Sequence, residues 1–219
     1  MKVHSIDSEL WWIANADEIR SPRSFPLRES LQIIQEIFGF FALPTTIPTG
    51  NDGFAFQQGR LIGADNDIVV IRQMVIYNGG VHISVAGPTD GADKVFDRVV
   101  ELFQSWGVRQ PSTPPVKFYR SFITCDFDKS IAAVFAKYQS IIDALQGKSC
   151  VPDAKIYETG IAFSADPTAL PANVASYNPT LFTMNRKTDV AFSTNRYACF
   201  ANMTTNDHLA ALTEIENLL

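Results

Sequence analysis

Asn78-Gly79-Gly80 separates two runs rich in β-branched residues, Ile68 to Tyr77 and Val81 to Val85. Asn and Gly accept positive φ at little cost, so this tripeptide predicts a tight hairpin turn. In the second run Val81, Ile83 and Val85 alternate with His82 and Ser84. That is the period of a strand with one apolar face. A hairpin forces antiparallel pairing, and this sets the kind of sheet the rest of the chain must join.

The flanking segments supply the partners. Glu9 to Asn15 reads as a first strand. From Pro26 the period turns helical, with Leu27, Leu31, Ile34 and Phe38 on one face and Gly39 as the stop. Phe54, Phe56, Leu61 and Ile62 mark another strand. A helix over 92–106 follows the hairpin, capped by Thr89 or Asp90, with Val95, Phe96, Val99, Leu102 and Phe103 on its apolar face. Gly107, Pro111, Pro114 and Pro115 punctuate a linker over 107–115. Beyond it, Val116 to Cys125 reads as a strand. A helix over 129–146 carries a buried stripe of Ile131, Val134, Phe135, Tyr138, Ile141, Ile142 and Leu145, with Gly147 at its end. Strands at 157–163, 180–187 and 190–202, a loop with Pro167, Pro171 and Pro179, and a helix over 206–219 complete the chain.

The expected fold class is therefore α+β. Two pseudo-repeated β-α-β-β-β-α halves, 1–108 and 109–219, form an antiparallel sheet covered by helices. Val75 aligns with Val190, Tyr77 with Phe192, Val85 with Phe200 and Thr89 with Thr204, while helical positions align better one residue further on. This order is similar to the duplicated fold of the TATA-binding protein, and the Bet v 1-like ligand binders look like a single copy of the same plan. The resemblance is one of topology and implies no site residues.

Composition narrows the function. With 219 residues, 46% of them apolar, the chain buries a core without disulfides or metal. Eighteen basic residues face 23 acidic ones, a net charge of −5 that argues against nucleic acid as a partner, a local cluster of Arg20, Arg23 and Arg28 notwithstanding. No signal-like stretch or membrane-length apolar run is present. Cys125, Cys150 and Cys199 are odd in number and lack metal-ligand spacing, so they read as reduced thiols of a cytoplasmic protein.

The sharpest chemical signal is Phe122-Ile-Thr-Cys-Asp126-Phe-Asp128-Lys-Ser130. An apolar strand ending in Asp-x-Asp resembles the first motif of haloacid-dehalogenase-type phosphotransferases, in which the first Asp is the nucleophile and the second an acid or base. No later acidic pair accompanies it, and either aspartate would serve as a helix cap instead. His4, His82 and His208 are isolated, and Asp90, Asp93 and Asp97 fall along a solvated helix face. No cofactor is expected. Trp11-Trp12 stands apart, because neighbouring side chains of a strand leave on opposite faces and both indoles cannot enter one core. Three functions follow in order. The first is a non-catalytic interaction or assembly protein, a homo-oligomer with Trp11 and Trp12 at its interface. The second is a binder of a small apolar ligand. The third is a metal-dependent phosphotransferase or phosphatase using Asp126 and Asp128.

Overall fold

The structure, a computed structural model, describes residues 1–16, 27–44, 53–63, 66–136, 139–146, 157–166, 168 and 180–219. Arg20, Arg23, Pro26, Tyr138, Gly147, Cys150, Pro167, Pro171 and Pro179 lie outside the described residues. The protein is α+β. In chain order its elements are β1 (Lys2–Ile13), α1 (Leu27–Ile37), β2 (Phe54–Ile62), β3 (Ile68–Tyr77), β4 (Gly80–Ala86) and α2 (Thr89–Ser105). There follow β5 (Val116–Asp126), α3 (Ala132–Phe135), α4 (Gln139–Gln146), β6 (Gly160–Ser164), β7 (Thr180–Arg186), β8 (Arg196–Ala201) and α5 (Thr205–Leu218).

The chain divides into two compact units. The first comprises Ile6–Ser121 with Met203–Thr205, and its strands run in the order β2-β3-β4-β1-β5. The pairs β2–β3, β3–β4 and β4–β1 are antiparallel. Rows of paired residues cross the sheet. In one, Leu10 pairs with Ile83, Ile83 with Met74 and Met74 with Phe56, and all four are fully buried. Their period-two spacing puts them on one face, where Ala92, Val95 and Val99 of α2 and Ile34 of α1 pack against them in a single core.

The hairpin forms where the sequence places it, for a different reason. Tyr77 pairs with Gly80, leaving Asn78 and Gly79 as the turn, and neither takes positive φ. Absence of a side chain is what matters at Gly80, where a Cβ would lie 2.3 Å from the carbonyl oxygen of Trp12 on β1. The caps also differ from expectation. Helix α2 starts at Thr89 itself, whose N–H donates to Thr205 Oγ1 at 3.0 Å, while the Thr205 N–H donates to Thr89 Oγ1 at 3.1 Å. Both threonines are buried, so each hydroxyl satisfies a helix-terminal N–H that water cannot reach.

The second unit holds Met1–Ser5, Phe122–Asn202 and Asn206–Leu219, with β8, β7 and β6 in antiparallel succession beside β5. Met184, Cys199, Ala201 and Leu212 are buried there, with Tyr197 accepting the N–H of Ile131 on its hydroxyl at 3.2 Å. The long helix expected over 129–146 is instead two short ones, α3 and α4, with 137–138 between them outside the description. Of its expected stripe Ile131 is buried, but Val134, Ile141 and Leu145 are exposed. Helical periodicity marks an apolar face without saying that anything covers it.

Gly80→Ala is expected to destabilise the protein by about 2 kcal/mol, since the methyl group meets backbone that cannot swing aside. Gly79→Ala, whose Cβ would meet the Ala14 carbonyl at 3.0 Å, is expected to cost less. Urea unfolding of both variants measures the difference, and equal midpoints would refute this account of the turn.

Candidate functional site

The row next to the filled one ends in space. Trp12 pairs with Val81, Val81 with Ile76 and Ile76 with Phe54, so four side chains from four strands line up on the helix side of the first unit's sheet. All four line a cavity of about 310 Å³. Leu27, Leu31 and Ile34 of α1 form one wall, and Phe96, Val99, Val100 and Phe103 of α2 form another. Trp106, Val108 and Pro111, from the segment after α2, close it further. Both helices contribute at i, i+3 and i+4 spacings, which is the stripe each must bury. The polar lining is sparse: Ser30, Tyr77, Asn78, Gln104, Arg109 and Gln110. An apolar concavity with a few polar groups is the usual form of a small-molecule site, and this volume lies at the low end of that range.

Strand alternation sends Trp11 the other way. Its indole stacks on His82 at 4.0 Å between centroids and lies nearly parallel to Phe118 at 6.1 Å. The Arg120 guanidinium sits 5.6 Å from the Trp11 ring. Beneath them Glu9 accepts a hydrogen bond from Trp11 Nε1 at 3.3 Å and lies 3.6 Å from both His82 Nε2 and Arg120 Nη1. Burial pushes the Glu9 carboxyl up, but His82, Trp11 and Arg120 together outweigh it and hold the group below its ordinary value. Trp11 and Trp12, adjacent in sequence, thus occupy two separate environments.

In the second unit Asp126 and Asp128 are held differently. Asp126 receives Arg196 Nε at 2.7 Å and Nη2 at 3.1 Å, and His4 Nε2 lies 2.7 Å from the same carboxylate. The Arg196 fork, with His4, holds its carboxyl far below the usual range. The Asp128 side chain is 85% exposed. Neither caps the following helix, because Ser130 Oγ accepts the Ala132 N–H at 3.2 Å. Among the described residues no group of three or more His, Cys, Asp or Glu is gathered as a metal site would require. No helix among them is long and apolar enough to cross a membrane.

Sequence reasoning missed the second unit's buried charge. Arg186 reaches Glu158 at 3.3 Å, Ser130 Oγ at 2.5 Å and the Phe192 carbonyl at 2.9 Å, with its guanidinium over the Tyr197 ring. Their wide separation along the chain leaves no local signal. Cys125 and Cys199 are buried and free, and a hydrogen bond from the Cys199 thiol pulls Cys125 down and pushes Cys199 up. His208, in the first turn of α5, is fully buried against Phe182, and neither ring nitrogen has a partner among the described residues.

No protein-family model matches the sequence, and comparison with curated proteins returns no relative.

Burial lowers the pKa of His208 from 6.5 to about 4, because a charged imidazole there would lose its water without gaining a partner. The unfolded chain therefore takes up a proton as pH falls through 6.5, while the folded chain does so only near 4. Stability from this group is full above pH 7, declines between 6.5 and 4, and changes no further below. The loss amounts to about 3 kcal/mol. His208→Leu is expected to flatten that part of the stability–pH curve; parallel acid limbs for the two proteins in urea titrations would show that His208 contributes nothing to it.

Proposed function

We propose that this chain is a non-catalytic binder of a small apolar ligand, held in the cavity between α1, α2 and the sheet of the first unit. The observation that carries the reading is the row Trp12–Val81–Ile76–Phe54, four paired residues facing unfilled space beside a fully packed row. The concavity is open at Leu27, Gln104, Arg109 and Gln110, which gives an occupant a way in from solvent. Apolar walls supply affinity by area removed from water, and sparse polar groups orient the occupant. Of the two carboxylates that suggested catalysis, Asp126 is engaged by Arg196, as structural ion pairs are, and Asp128 lies exposed beside the Met1 amino group.

We infer that the two units are copies of one plan. In the first, buried Leu10, Ile83, Met74 and Phe56 lie in register on β1, β4, β3 and β2. In the second, Cys199 pairs with Met184 and Met184 with Ile161 on β8, β7 and β6, with Cys125 of β5 hydrogen-bonded to Cys199. Each series ends in a helix that opens on a buried threonine, Thr89 or Thr205, 116 residues apart. This supports the topological likeness to the duplicated TATA-binding-protein plan. The helix cover over the sheet is likewise proposed for both units.

Self-association remains a second reading, favoured by Trp11. Its half-buried ring lies on the face away from the cavity, with the apolar edges of Tyr77 and Phe118 beside it. Aromatic groups so placed are enriched at interfaces.

Two of the three tryptophans line the cavity, so emission reports on its contents. Titration with 1-decanol is expected to give a saturable one-to-one blue shift that Val100→Phe, which fills the cavity, removes. A folded wild type that shows no saturable change would end the ligand reading. Light scattering after size exclusion tests the other reading separately: Trp11→Ala should reduce the mass of an oligomer, and a monomeric wild type at tens of micromolar rules self-association out.

A further inference from the structure

We propose that the occupant of the cavity is an amphiphilic monoanion, an apolar tail bearing one carboxylate, whose head group meets Arg109. This rests on the apolar-ligand reading and adds the chemistry of the head.

Of the described residues lining the cavity only Arg109 is charged. It is exposed, as is its neighbour Gln110, which places the cation at the mouth rather than among the apolar walls. Arg72, Arg98, Arg120, Arg186 and Arg196 are engaged by carboxylates, whereas Arg28 and Arg60, like Arg109, show none among the described residues, and of these three only Arg109 lines the cavity. Arg109 has no such partner among the described residues, and no carboxylate lines the cavity beside it. Its planar fork matches a carboxylate held at the mouth, and the carboxamides of Gln104 and Gln110 add neutral donors.

One feature of the fold would oppose an anion there, namely the partial negative charge at the C-terminus of α2. The last carbonyls of that helix are already engaged. Trp106 N–H donates to Leu102, Gly107 N–H to Gln104 at 2.9 Å and Val108 N–H to Phe103 at 3.0 Å, with Gly107 in a left-handed conformation at φ 79°. Closed in this way, the helix end presents no free carbonyl row to repel a carboxylate. A single cation without a second one suits one negative charge, not a phosphate monoester. A cationic head would meet only repulsion.

The test compares two probes with the same tail, decanoate and 1-decanol, at neutral pH and below micelle formation. Binding is followed by tryptophan emission and calorimetry on the full chain. Wild type is expected to bind decanoate at least about tenfold more tightly than 1-decanol, a margin within reach of a charge-assisted hydrogen bond. Arg109→Gln should erase the margin by weakening decanoate binding far more than 1-decanol binding, and Arg109→Lys should retain part of it. Equal affinity of wild type for the two probes, or a preference for the alcohol, would overturn the anion while leaving the cavity reading intact. A decanoate preference that survives Arg109→Gln would overturn the role of Arg109. Failure of both probes to bind a protein that circular dichroism shows to be folded would remove the cavity reading, and this inference with it.

Discussion

Leu10 and Trp12 leave β1 on the same side, two residues apart, and what each meets divides the inner face of the first unit's sheet. Leu10 enters a row of fully buried residues against α2. Trp12 enters the row where that packing stops. The strand period admits no other arrangement once β1 is registered against β4, and the close approach of Gly80 to the Trp12 carbonyl holds that register. A slip of one residue would send Trp11 inward and put Glu9 where Leu10 belongs. Core, cavity and the aromatic cluster on the other face all follow from this one pairing.

Charge is distributed with the same economy. Glu9, Asp126 and Glu158 are partly or wholly withdrawn from water, and each is matched by an arginine, with a histidine added at the first two. Breaking such a pair leaves a buried charge uncompensated, which costs far more than the pair contributes. These ion pairs therefore constrain the fold. Among the groups without such a partner in the described residues are the buried imidazole of His208 and the exposed guanidinium of Arg109. The first bears on stability in acid, and the second on what approaches the cavity.

Local order was legible in the sequence where neighbours in the chain are neighbours in space. Strands β2, β3 and β4 and helix α2 follow from alternation, β-branching and helical period, because a hairpin and the helix packed on it are encoded in one continuous stretch. Legibility failed wherever the deciding contact was distant. Thr89 was readable as a helix start, but its partner Thr205 was not. The cavity needed four strands and two helices to be assembled before it existed. The Trp11-Trp12 pair showed that two environments were required, not which they were. In the 129–146 stretch the same amphipathic period that placed α2 correctly overstated both continuity and burial, since periodicity describes the helix and not its surroundings.

An unfilled cavity in such a core carries an energetic consequence. Emptied space in a packed interior costs about 24 cal/mol per Å³, a figure for enclosed voids and so an upper bound for a concavity of 310 Å³ that is open to solvent. Arg109 and Gln110 at its exposed edge let water reach part of that space, which lowers the penalty but leaves the half-buried Trp12 and Phe103 partly facing water. Enlarging one wall residue would relieve the same penalty within the chain; Val100 is half-buried and lines the space, so a longer side chain there has room. A sequence that keeps valine at such a position forgoes stability that packing would supply. An occupant of the kind proposed would recover it, and binding and folding would then draw on the same apolar surface.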